Sequence, residues 1–417
     1  MSGGDTTARG VPVAFRTLGC KVNHVESDTI ASDLLCRGAR IVDEDAAALV
    51  VVNTCTVTAE ADAKARKAIR QALKAPGAPV VVVTGCLAAL DAQGLRALGE
   101  RVVVEADKDV VAVRVSELFG LGAEPHGHPV RVGEKFRTRA SLKIEDGCDN
   151  CCTYCVVPYA RGVPRGVSLA DVVADASRLV EAGVREIVLT GINIGRYRDP
   201  ASGGDLTTLI AGVADTGIER LRVSSIEPPD LTERLLTTLA GTPAVCEHLH
   251  VPLQSGSDSV LSAMGRSYTA EKYAGLVEAA RKAIPGLAVT TDVIAGFPGE
   301  TDCHHAETVE FVRRIGFSKL HVFRYSVRPG TPAASMAHVA PQVRSHRAAE
   351  LRELGAELRR GHVAARCHCE AEVLLERIAN GIATGTTRDY LKVTCDAPSG
   401  AAAGDCVTVA LTAENAR

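Results

Sequence analysis

Apolar and polar positions alternate along the first part of the chain in a way typical of a parallel α/β sheet. Short Val-, Ala- and Leu-rich runs lie at 13–18, 47–52, 79–84 and 101–105. Between the second and third runs, residues 59–74 have a helical pattern and follow Thr58, a residue type that favours the N-cap. Strand-length runs separated by helices predict a flavodoxin-like parallel sheet domain over residues 11–122.

A second region repeats this strand-and-helix pattern six times. Its apolar runs lie at 140–145, 186–190, 221–225, 248–253, 288–295 and 319–324, and amphipathic stretches separate them. Six β/α units predict an open, partial (β/α)6 barrel, two units short of the closed eight-stranded form. We place this domain at residues 138–340.

The rest of the chain has a different pattern. Residues 341–364 are predicted to form a helical connector, with the helix itself over 341–362. The tail that follows is rich in Val, Thr and Gly, with short apolar runs at 371–375 and 390–394. These runs predict a small all-β domain over residues 365–417.

Composition restricts the possible functions. The 417 residues carry a net charge of −3, so a nucleic acid has to be bound by a local basic patch. The sequence contains neither a signal-peptide pattern nor an apolar run of about 20 residues, which predicts a cytoplasmic protein that does not span a membrane. In that reducing compartment, the 14 cysteines favour metal-binding or catalytic roles over disulfides.

One group of cysteines follows the first predicted barrel strand. The segment GCDNCCTYCVVPYARG contains Cys148, Cys152 and Cys155 in a C-x3-C-x2-C spacing. Three thiolates on one loop bind three irons of a [4Fe–4S] cluster and leave the fourth iron open to another ligand. The alternative is a four-cysteine zinc site that includes Cys151, although zinc-binding pairs are normally separated by a dozen or more residues.

A second group of cysteines is spread over the N-terminal region. Cys20, Cys55 and Cys86 each follow a predicted strand, in TLGC, VVNTC and VVTGC. Because the carboxyl ends of parallel strands meet at one edge of a sheet, we expect these thiols to meet and to bind a second [4Fe–4S] cluster with an open iron. The alternative is that each cysteine packs as a small apolar residue.

Together these motifs resemble the radical S-adenosylmethionine methylthiotransferase family. TLGCKVNHVESD, NTCTVTAEADAKAR and GCDNCCTYCVVPYARG match family segments in family order, as do VLTGINIGRY, RVSSIEP, HLHVPLQSGSDSVLSAMGRSYT and DVIAGFPGET. LGCKVN and NTCTVTAEADAK are most similar to the branch acting on N6-threonylcarbamoyladenosine next to the tRNA anticodon. This chain has Cys151 where members of that family tend to carry an aromatic or other apolar residue.

The resemblance implies a tRNA methylthiotransferase that converts N6-threonylcarbamoyladenosine at position 37 to its 2-methylthio derivative. One S-adenosylmethionine methylates a sulfur associated with the N-terminal cluster. A second is cleaved at the other cluster to a 5′-deoxyadenosyl radical, which abstracts hydrogen from C2 of the adenine. The implied partner is the anticodon stem-loop of tRNA, whereas the sequence identifies no electron donor, sulfur donor or acid–base residue.

Three alternatives stay open at this point. Two are other branches of the family, which act on isopentenyladenosine in tRNA or on a ribosomal protein aspartate. The third belongs to another class: a non-catalytic metal-binding RNA module in which both cysteine groups are structural. Within the leading interpretation, residues 11–122 are the methylthiotransferase domain, 138–340 the radical S-adenosylmethionine domain and 365–417 a small RNA-binding-like domain.

The contacts expected for S-adenosylmethionine lie where the barrel strands end, since parallel barrels place their chemistry at the carboxyl ends of strands. The candidates are Gly191, Asn193, Ser225, Glu227, Gln254, Ser255 and Gly296. Routine turn structure is the alternative for each of them.

Basic residues flank the first cysteine group and form the candidate tRNA patch. Arg131, Lys135, Arg137, Arg139 and Lys143 precede it, and Arg161 and Arg165 follow it. Lysine and arginine supply the phosphate contacts that dominate nucleic-acid affinity. In the β-rich tail, acidic residues are at least as frequent as basic ones, which limits the share of RNA affinity expected there.

Overall fold

A computed structural model of the chain describes residues 10–122 and 138–417. The described residues form two compact units. One contains residues 10–122 together with Cys155–Gly162, and the other contains residues 138–154 together with Val163–Arg417. None of the helices in these residues is both long and apolar enough to cross a membrane.

The N-terminal unit is built on a five-stranded parallel sheet. Its elements are β1 (Pro12–Thr17), α1 (Lys21–Cys36), β2 (Arg40–Ile41), β3 (Leu49–Thr54), α2 (Ala59–Ala72), β4 (Val80–Gly85), α3 (Cys86–Leu90), α4 (Ala92–Arg96), β5 (Val102–Val104) and α5 (Val111–Phe119). The strand order β2-β1-β3-β4-β5 is that of flavodoxin-like sheets, as predicted. Every residue of β3 is buried, and helices pack on both faces of the sheet.

The second unit begins with six parallel strands that follow one another in chain order. They are β6 (Arg139–Lys143), β9 (Glu186–Thr190), β10 (Arg220–Val223), β11 (His248–His250), β12 (Ala288–Ala295) and β13 (Lys319–Arg324), and a short hairpin, β7 (Glu145–Asp146) with β8 (Arg165–Gly166), follows the first of them. Two three-stranded sheets, β6-β9-β10 and β11-β12-β13, are joined by parallel bridges from Leu221 to Val245 and from Ser225 to His250. This arrangement confirms the partial barrel.

Helices cover the outside of these strands, and one apolar core joins the two layers. Helix α6 (Val157–Arg161) belongs to the N-terminal unit, and the helices of the second unit are α7 (Leu169–Glu181), α8 (Leu206–Ala214), α9 (Glu233–Gly241), α10 (Asp258–Ala263), α11 (Ala270–Ala283), α12 (Asp302–Ile315) and α13 (Pro341–Arg366). The connector helix α13 therefore runs four residues beyond its predicted end. β11 is shorter than predicted, because the backbone leaves the strand before Gln254, which has a φ of 69°.

The chain ends in a four-stranded antiparallel sheet. Its strands are β14 (Glu370–Ala379), β15 (Ile382–Thr387), β16 (Lys392–Asp396) and β17 (Cys406–Ala410), in the order β16-β15-β14-β17. This sheet confirms the predicted all-β tail. The run predicted at 390–394 becomes β16, because Tyr390 has a φ of 70° and lies in the turn before it.

The β-tail covers the amino-terminal ends of the barrel strands through a buried charge cluster. Glu186 is fully buried and accepts hydrogen bonds from Arg220 Nε at 2.9 Å and Arg222 Nε at 2.8 Å. The same arginines donate to tail carbonyl oxygens, including that of Thr386 at 3.0 Å. Tyr390 lies beneath the Arg222 guanidinium, 4.9 Å from the ring centroid. The tail is thus fixed at the end of the barrel opposite to the strand ends expected to carry chemistry.

Candidate active site

The fold gathers the three N-terminal cysteines at one edge of the first sheet. Cys20 caps the start of α1 after β1, Cys55 follows β3, and Cys86 begins α3 directly after β4. These three strands are parallel neighbours, so their carboxyl ends lie side by side. Burial, followed by the nearby thiols of Cys86 and Cys20, raises the pKa of Cys55 to about 11. The fold therefore places the three cysteines at neighbouring strand ends, and their binding of one cluster stays a prediction.

Glycine residues make the close approach of these turns possible. Gly19 and Gly85 precede Cys20 and Cys86 and have φ angles of 102° and 92°, a region that favours glycine. A Cβ atom on Gly19 would lie 2.4 Å from the Cβ of Cys55. A Cβ atom on Gly85 would lie 2.4 Å from the carbonyl oxygen of Thr54. Neither turn has space for a side chain, so the cysteines are held by tightly packed backbone.

A buried arginine completes this edge of the sheet. Arg161, at the end of α6, donates from Nε to the sulfur of Cys86 at 3.2 Å. It also donates from Nη1 to Glu26 at 2.8 Å and from Nη2 to Asn23 Oδ1 at 2.7 Å. Lys108 Nζ is 2.8 Å from the same Glu26 carboxylate. Burial raises the pKa of the Cys86 thiol, and Arg161 and Lys108 oppose that rise.

The predicted tRNA patch is therefore wrong in part. Arg161 is only 5% exposed, and its guanidinium is held by a carboxylate and a thiol inside the protein. Arg139 is paired with Glu376 at 2.9 Å, and Lys143 with Asp146 at 2.8 Å. Arg165 is exposed. The remaining members of the patch, Arg131, Lys135 and Arg137, lie outside the described residues.

The cysteines that follow the first barrel strand, Cys148, Cys152 and Cys155, accept hydrogen bonds from nitrogen donors. Cys148 accepts from the backbone N–H of Asn150 at 3.4 Å, and Cys152 accepts from Arg266 Nη1 at 3.2 Å. Cys155 accepts from the backbone N–H of Val157 at 3.4 Å, in the segment that belongs to the N-terminal unit. An N–H donor favours the ionised form of a sulfur, which is the form that binds iron.

A cavity of about 260 Å³ adjoins this loop in the second unit. Its lining includes Asn150, Cys151, Cys152, Glu227, Arg266 and Tyr268. Arg266 forms an ion pair with Glu227 and lies over the ring of Tyr268, 5.0 Å from its centroid. Burial raises the pKa of Glu227, and the Arg266 guanidinium opposes this rise. The cavity thus places the Arg266–Glu227 ion pair beside the Cys152 sulfur, and Arg196, Asp149 and Asp230 add further charges to its lining.

Two of the predicted cofactor contacts lie beside Cys148. Asn193 is 2% exposed, with Nδ2 3.9 Å from the Cys148 sulfur. The turn that carries it is held by Glu145, which accepts from the backbone N–H groups of Ile192 at 2.9 Å and Asn193 at 2.8 Å. A Cβ atom on Gly191 would lie 2.9 Å from the Glu145 carboxylate, so this glycine permits the contact. The buried Oδ1 of Asn193 and Oε1 of Glu145 have no hydrogen-bond partner among residues 10–122 and 138–417.

The other predicted contacts take part in the protein's own packing. Ser255 Oγ is 3.1 Å from the hydroxyl of Thr308 on α12. The backbone N–H of Gly296 donates to Glu300 at 3.0 Å, and a Cβ atom there would collide with Arg344. Ser225 is bridged through its backbone to β11, and Gln254 to β12. A role of these four residues in cofactor binding stays a prediction.

The two metal chemistries left open by the sequence, zinc and an iron–sulfur cluster, require different arrangements of ligand atoms. Within the described part of the chain, no three His, Cys, Asp or Glu side chains are positioned to hold a single metal ion. A structural zinc site requires four ligands around one ion. In a [4Fe–4S] cluster each thiolate binds a different iron, so the sulfurs do not have to converge on one point. Each group supplies three thiols and at least one nitrogen donor, which is the ligand chemistry that such a cluster requires, and both clusters stay predictions.

Sequence reasoning missed three residues of these sites. It proposed Arg161 for RNA and passed over Arg266 and Glu145. Arg161 lies six residues after Cys155, and Arg266 lies twelve residues after Gln254. Only the fold shows that their side chains contact Cys86 and Cys152. The sequence pattern places Glu145 at the end of a predicted strand. It does not indicate that the buried carboxylate of Glu145 holds the turn that carries Asn193.

Comparisons with known proteins agree with the geometry. Residues 142–312 match the model of the Radical SAM superfamily, and residues 12–105 match Uncharacterized protein family UPF0004. The chain is 38% identical to threonylcarbamoyladenosine tRNA methylthiotransferase MtaB of Bacillus subtilis (strain 168), over 91% of this chain and 89% of that protein. It is also 38% identical to the tRNA-2-methylthio-N(6)-dimethylallyladenosine synthase of Salinispora arenicola (strain CNS-205), over 81% of this chain and 71% of that protein.

A solved structure supports the fold independently. The radical S-adenosylmethionine methyltransferase TsrM from Kitasatospora setae superposes with a TM-score of 0.58 at 19% identity, covering 78% of this chain and 77% of that one. Identity at this level indicates a shared fold and no more. The sequence relatives carry the assignment further: the chain belongs to the radical S-adenosylmethionine methylthiotransferase family, whose members are transferases that use S-adenosylmethionine and a [4Fe–4S] cluster.

Proposed function

We propose that this protein is a tRNA methylthiotransferase that converts N6-threonylcarbamoyladenosine at position 37, in the anticodon stem-loop, to its 2-methylthio derivative. The observation that carries the proposal is the presence of two cysteine groups, each with three thiols and nitrogen donors, in a chain 38% identical to a protein named for this reaction. Two clusters with open irons suit a reaction that must both cleave S-adenosylmethionine and deliver sulfur.

In this proposal, Cys148, Cys152 and Cys155 hold the radical-generating cluster, while a second cluster is held by Cys20, Cys55 and Cys86. When bound, the radical-generating cluster would supply the electron that cleaves S-adenosylmethionine, and the second cluster would supply the sulfur that is methylated and transferred. At the second site the protein shields two of the three thiols from water, while Cys20 is exposed. Cys55 and Cys86 are 5% and 6% exposed, and tight turns enclose them.

Residues around the cavity bind and orient S-adenosylmethionine in the same proposal. The methionyl end of this cofactor carries a carboxylate and an ammonium group, which Arg266 and Glu227 complement in charge. The unpartnered Oδ1 of Asn193, beside Cys148, is an acceptor for a donor group of the ligand. Glu145 acts indirectly, by fixing the backbone turn that positions Asn193.

The choice of substrate rests mainly on motifs, since identity does not separate the branches. Relatives named for threonylcarbamoyladenosine are 34–38% identical, and those named for dimethylallyladenosine are 34–38% identical as well. Coverage does not separate them either, since 89% of the Bacillus subtilis protein and 92% of the Endomicrobium trichonymphae synthase are matched. The LGCKVN and NTCTVTAEADAK motifs favour the threonylcarbamoyl branch.

The β-tail is proposed to contribute to tRNA binding, although part of its positive charge is used internally. Arg388 donates to Glu247 at 3.0 Å, and Lys392 donates to Glu376 at 2.6 Å. Charges that are already paired add little to phosphate attraction. Exposed residues beside the radical cluster, such as Tyr159 at 63% and Arg165, offer base-stacking and phosphate contacts.

Nucleoside mass spectrometry after anaerobic reaction tests the proposal. The iron-loaded protein is incubated with S-adenosylmethionine, a reductant, sulfide, and tRNA that carries either threonylcarbamoyladenosine or isopentenyladenosine. We expect a methylthio adduct on the threonylcarbamoyl nucleoside alone. An adduct only on isopentenyladenosine would move the protein to the other tRNA branch. Formation of 5′-deoxyadenosine without either adduct would contradict a tRNA substrate and point to the ribosomal protein.

A further inference from the structure

The segment that carries Cys155 also reaches into the N-terminal cysteine site. Helix α6 starts two residues after Cys155 and packs on α3, the helix that begins with Cys86. Its last residue, Arg161, directs Nε to the Cys86 sulfur at 3.2 Å. All of these residues belong to one compact unit. The radical-cluster motif therefore supplies a hydrogen-bond donor to a thiol of the other cysteine group.

The charges around this contact are almost completely buried. The side chains of Arg161 and Glu26 are 1% and 4% exposed, and that of Lys108 is 14% exposed. Removing charged groups from water is costly unless they compensate one another. Arg161 and Lys108 both pair with the Glu26 carboxylate, so charged groups of both signs lie beside the Cys86 sulfur.

The geometry of the guanidinium is as specific as its charge. Two of its nitrogens donate to Glu26 Oε1 and Asn23 Oδ1, which leaves Nε aimed at the Cys86 sulfur. Asn23 is itself held by the carbonyl oxygens of Leu18 at 2.8 Å and Thr54 at 3.0 Å, on the strands that lead to Cys20 and Cys55. The donor is thus fixed relative to all three turns, and a lysine cannot reproduce this fork.

We infer that Arg161 is a positioning residue that raises the reduction potential of the cluster bound by Cys20, Cys55 and Cys86, through its N–H···S hydrogen bond to Cys86. Hydrogen bonds to cluster sulfurs and local net charge are the protein's means of setting such potentials. The added electron makes the thiolates more basic, so the hydrogen bond is stronger in the reduced state. This inference rests on the proposed second cluster.

An EPR-monitored redox titration tests it in a protein that carries the N-terminal cluster alone. Cys148→Ala/Cys152→Ala removes the radical cluster and leaves the Cys155–Arg161 segment unchanged. In this background, Glu26→Gln/Arg161→Gln removes the N–H···S bond while preserving the net charge of the pocket. We expect a midpoint potential more negative by about 59 mV, which is a tenfold change in a one-electron equilibrium constant. Arg161→Lys keeps the charge without the fork and should give an intermediate shift.

A matched control is the Asp33→Asn/Arg37→Gln variant. Arg37 Nε donates to Asp33 at 2.8 Å at the far end of α1, and Arg37 is 9% exposed. Its midpoint potential should equal that of the background protein. If the Glu26/Arg161 variant assembles its cluster with an unchanged potential, Arg161 serves packing alone and the inference is wrong. If iron is lost from that variant and Arg161→Lys keeps an unshifted cluster, the inference is equally wrong. A background protein that binds no iron would overturn the second cluster itself, and this inference with it.

Discussion

The two cysteine sites differ in how the chain brings their three thiols together. The N-terminal site draws Cys20, Cys55 and Cys86 from the ends of three strands, whereas the barrel site takes its cysteines from one short loop. In the first, two of the three sulfurs lie in nearly inaccessible residues. In the second, all three residues are half-buried, and the loop borders a cavity of about 260 Å³. Cys55 and Cys86 are thus enclosed while Cys20 is exposed, and the barrel loop lies beside a cavity.

Both sites nevertheless contain the same kind of contact, in which an arginine pairs with a glutamate and donates to a cysteine sulfur. In each, an arginine nitrogen donates to a cysteine sulfur at 3.2 Å, and the same guanidinium pairs with a glutamate. The pairs are Arg161 with Glu26 and Arg266 with Glu227. Under the proposed function, this contact supports sulfurs that bind iron. In that proposal, the difference in exposure favours substrate access at the barrel site and protection of Cys55 and Cys86 at the N-terminal site.

The largest effect that separates the sites is expected from Cys152→Ala. Loss of this thiol should lower 5′-deoxyadenosine formation by more than about 100-fold, since even residues that only support metal ligands are worth 10–100-fold. Iron content should fall from about eight to about four per chain, because the N-terminal cluster remains. Chromatography of the reaction mixture and an iron assay measure both. Cys151→Ala is the control, and it should keep full iron and activity. Undiminished cleavage in Cys152→Ala would contradict the ligand assignment.

The complementary change is Cys86→Ala. It should also halve the iron content, yet leave 5′-deoxyadenosine formation largely intact while the methylthio product disappears. The reason is that the buried site is proposed to carry the transferred sulfur and to take no part in radical formation. Cys36→Ala, at the end of α1, should retain both products. If Cys86→Ala still forms the methylthio nucleoside, the division of labour between the two sites is wrong.

The parts of this molecule that sequence could predict are those with strong local signals. Apolar runs located the strands of both sheets to within a few residues, since β3 and β9 are buried along their whole length. The two-residue strand β2 escaped prediction, because it is too short to form a pattern. The convergence of three cysteines followed from one topological rule, that parallel strands end at the same edge.

What sequence could not supply is the direction of long side chains. Arg161 belongs to a run of basic residues and was assigned to RNA, whereas the fold buries it against Cys86. Arg266 follows a glycine turn and carries no local signal, yet it contacts Cys152 across a separation of 114 residues. Such contacts depend on tertiary packing, and periodicity along the chain does not record it.

A smaller effect is expected from a change in the turn before Cys86, which Gly85 allows. Gly85→Ala places a Cβ atom 2.4 Å from the Thr54 carbonyl oxygen, at φ 92° and ψ −168°, a region almost reserved for glycine. We expect a loss of about 1–3 kcal/mol in stability and reduced occupancy of the N-terminal cluster. Gly120→Ala is the control, because its φ of 67° is also left-handed and no atom lies within 4 Å of the added Cβ. It should cost about 1 kcal/mol without loss of iron. Equal iron in both variants would show that the tight turn is not needed for cluster binding.

The smallest expected effect is on the pH dependence of the protein's stability, and it arises from Glu145 at the barrel site. Burial raises the pKa of Glu145 from 4.5 to about 7, against two backbone N–H donors and Lys143, while Asp146 adds to the rise. A carboxyl whose pKa is raised by folding contributes its full stability below pH 4.5 and loses it as the pH approaches 7, because the unfolded chain ionises first. Glu145→Gln, which cannot ionise, should therefore lose about 1–2 kcal/mol less stability than the wild-type protein between pH 4.5 and pH 7. Thermal unfolding at both pH values measures the difference, with the exposed Glu181→Gln as the control. A parallel change in N-terminal cluster content across this pH range that is absent from Glu145→Gln would show that the two sites are coupled.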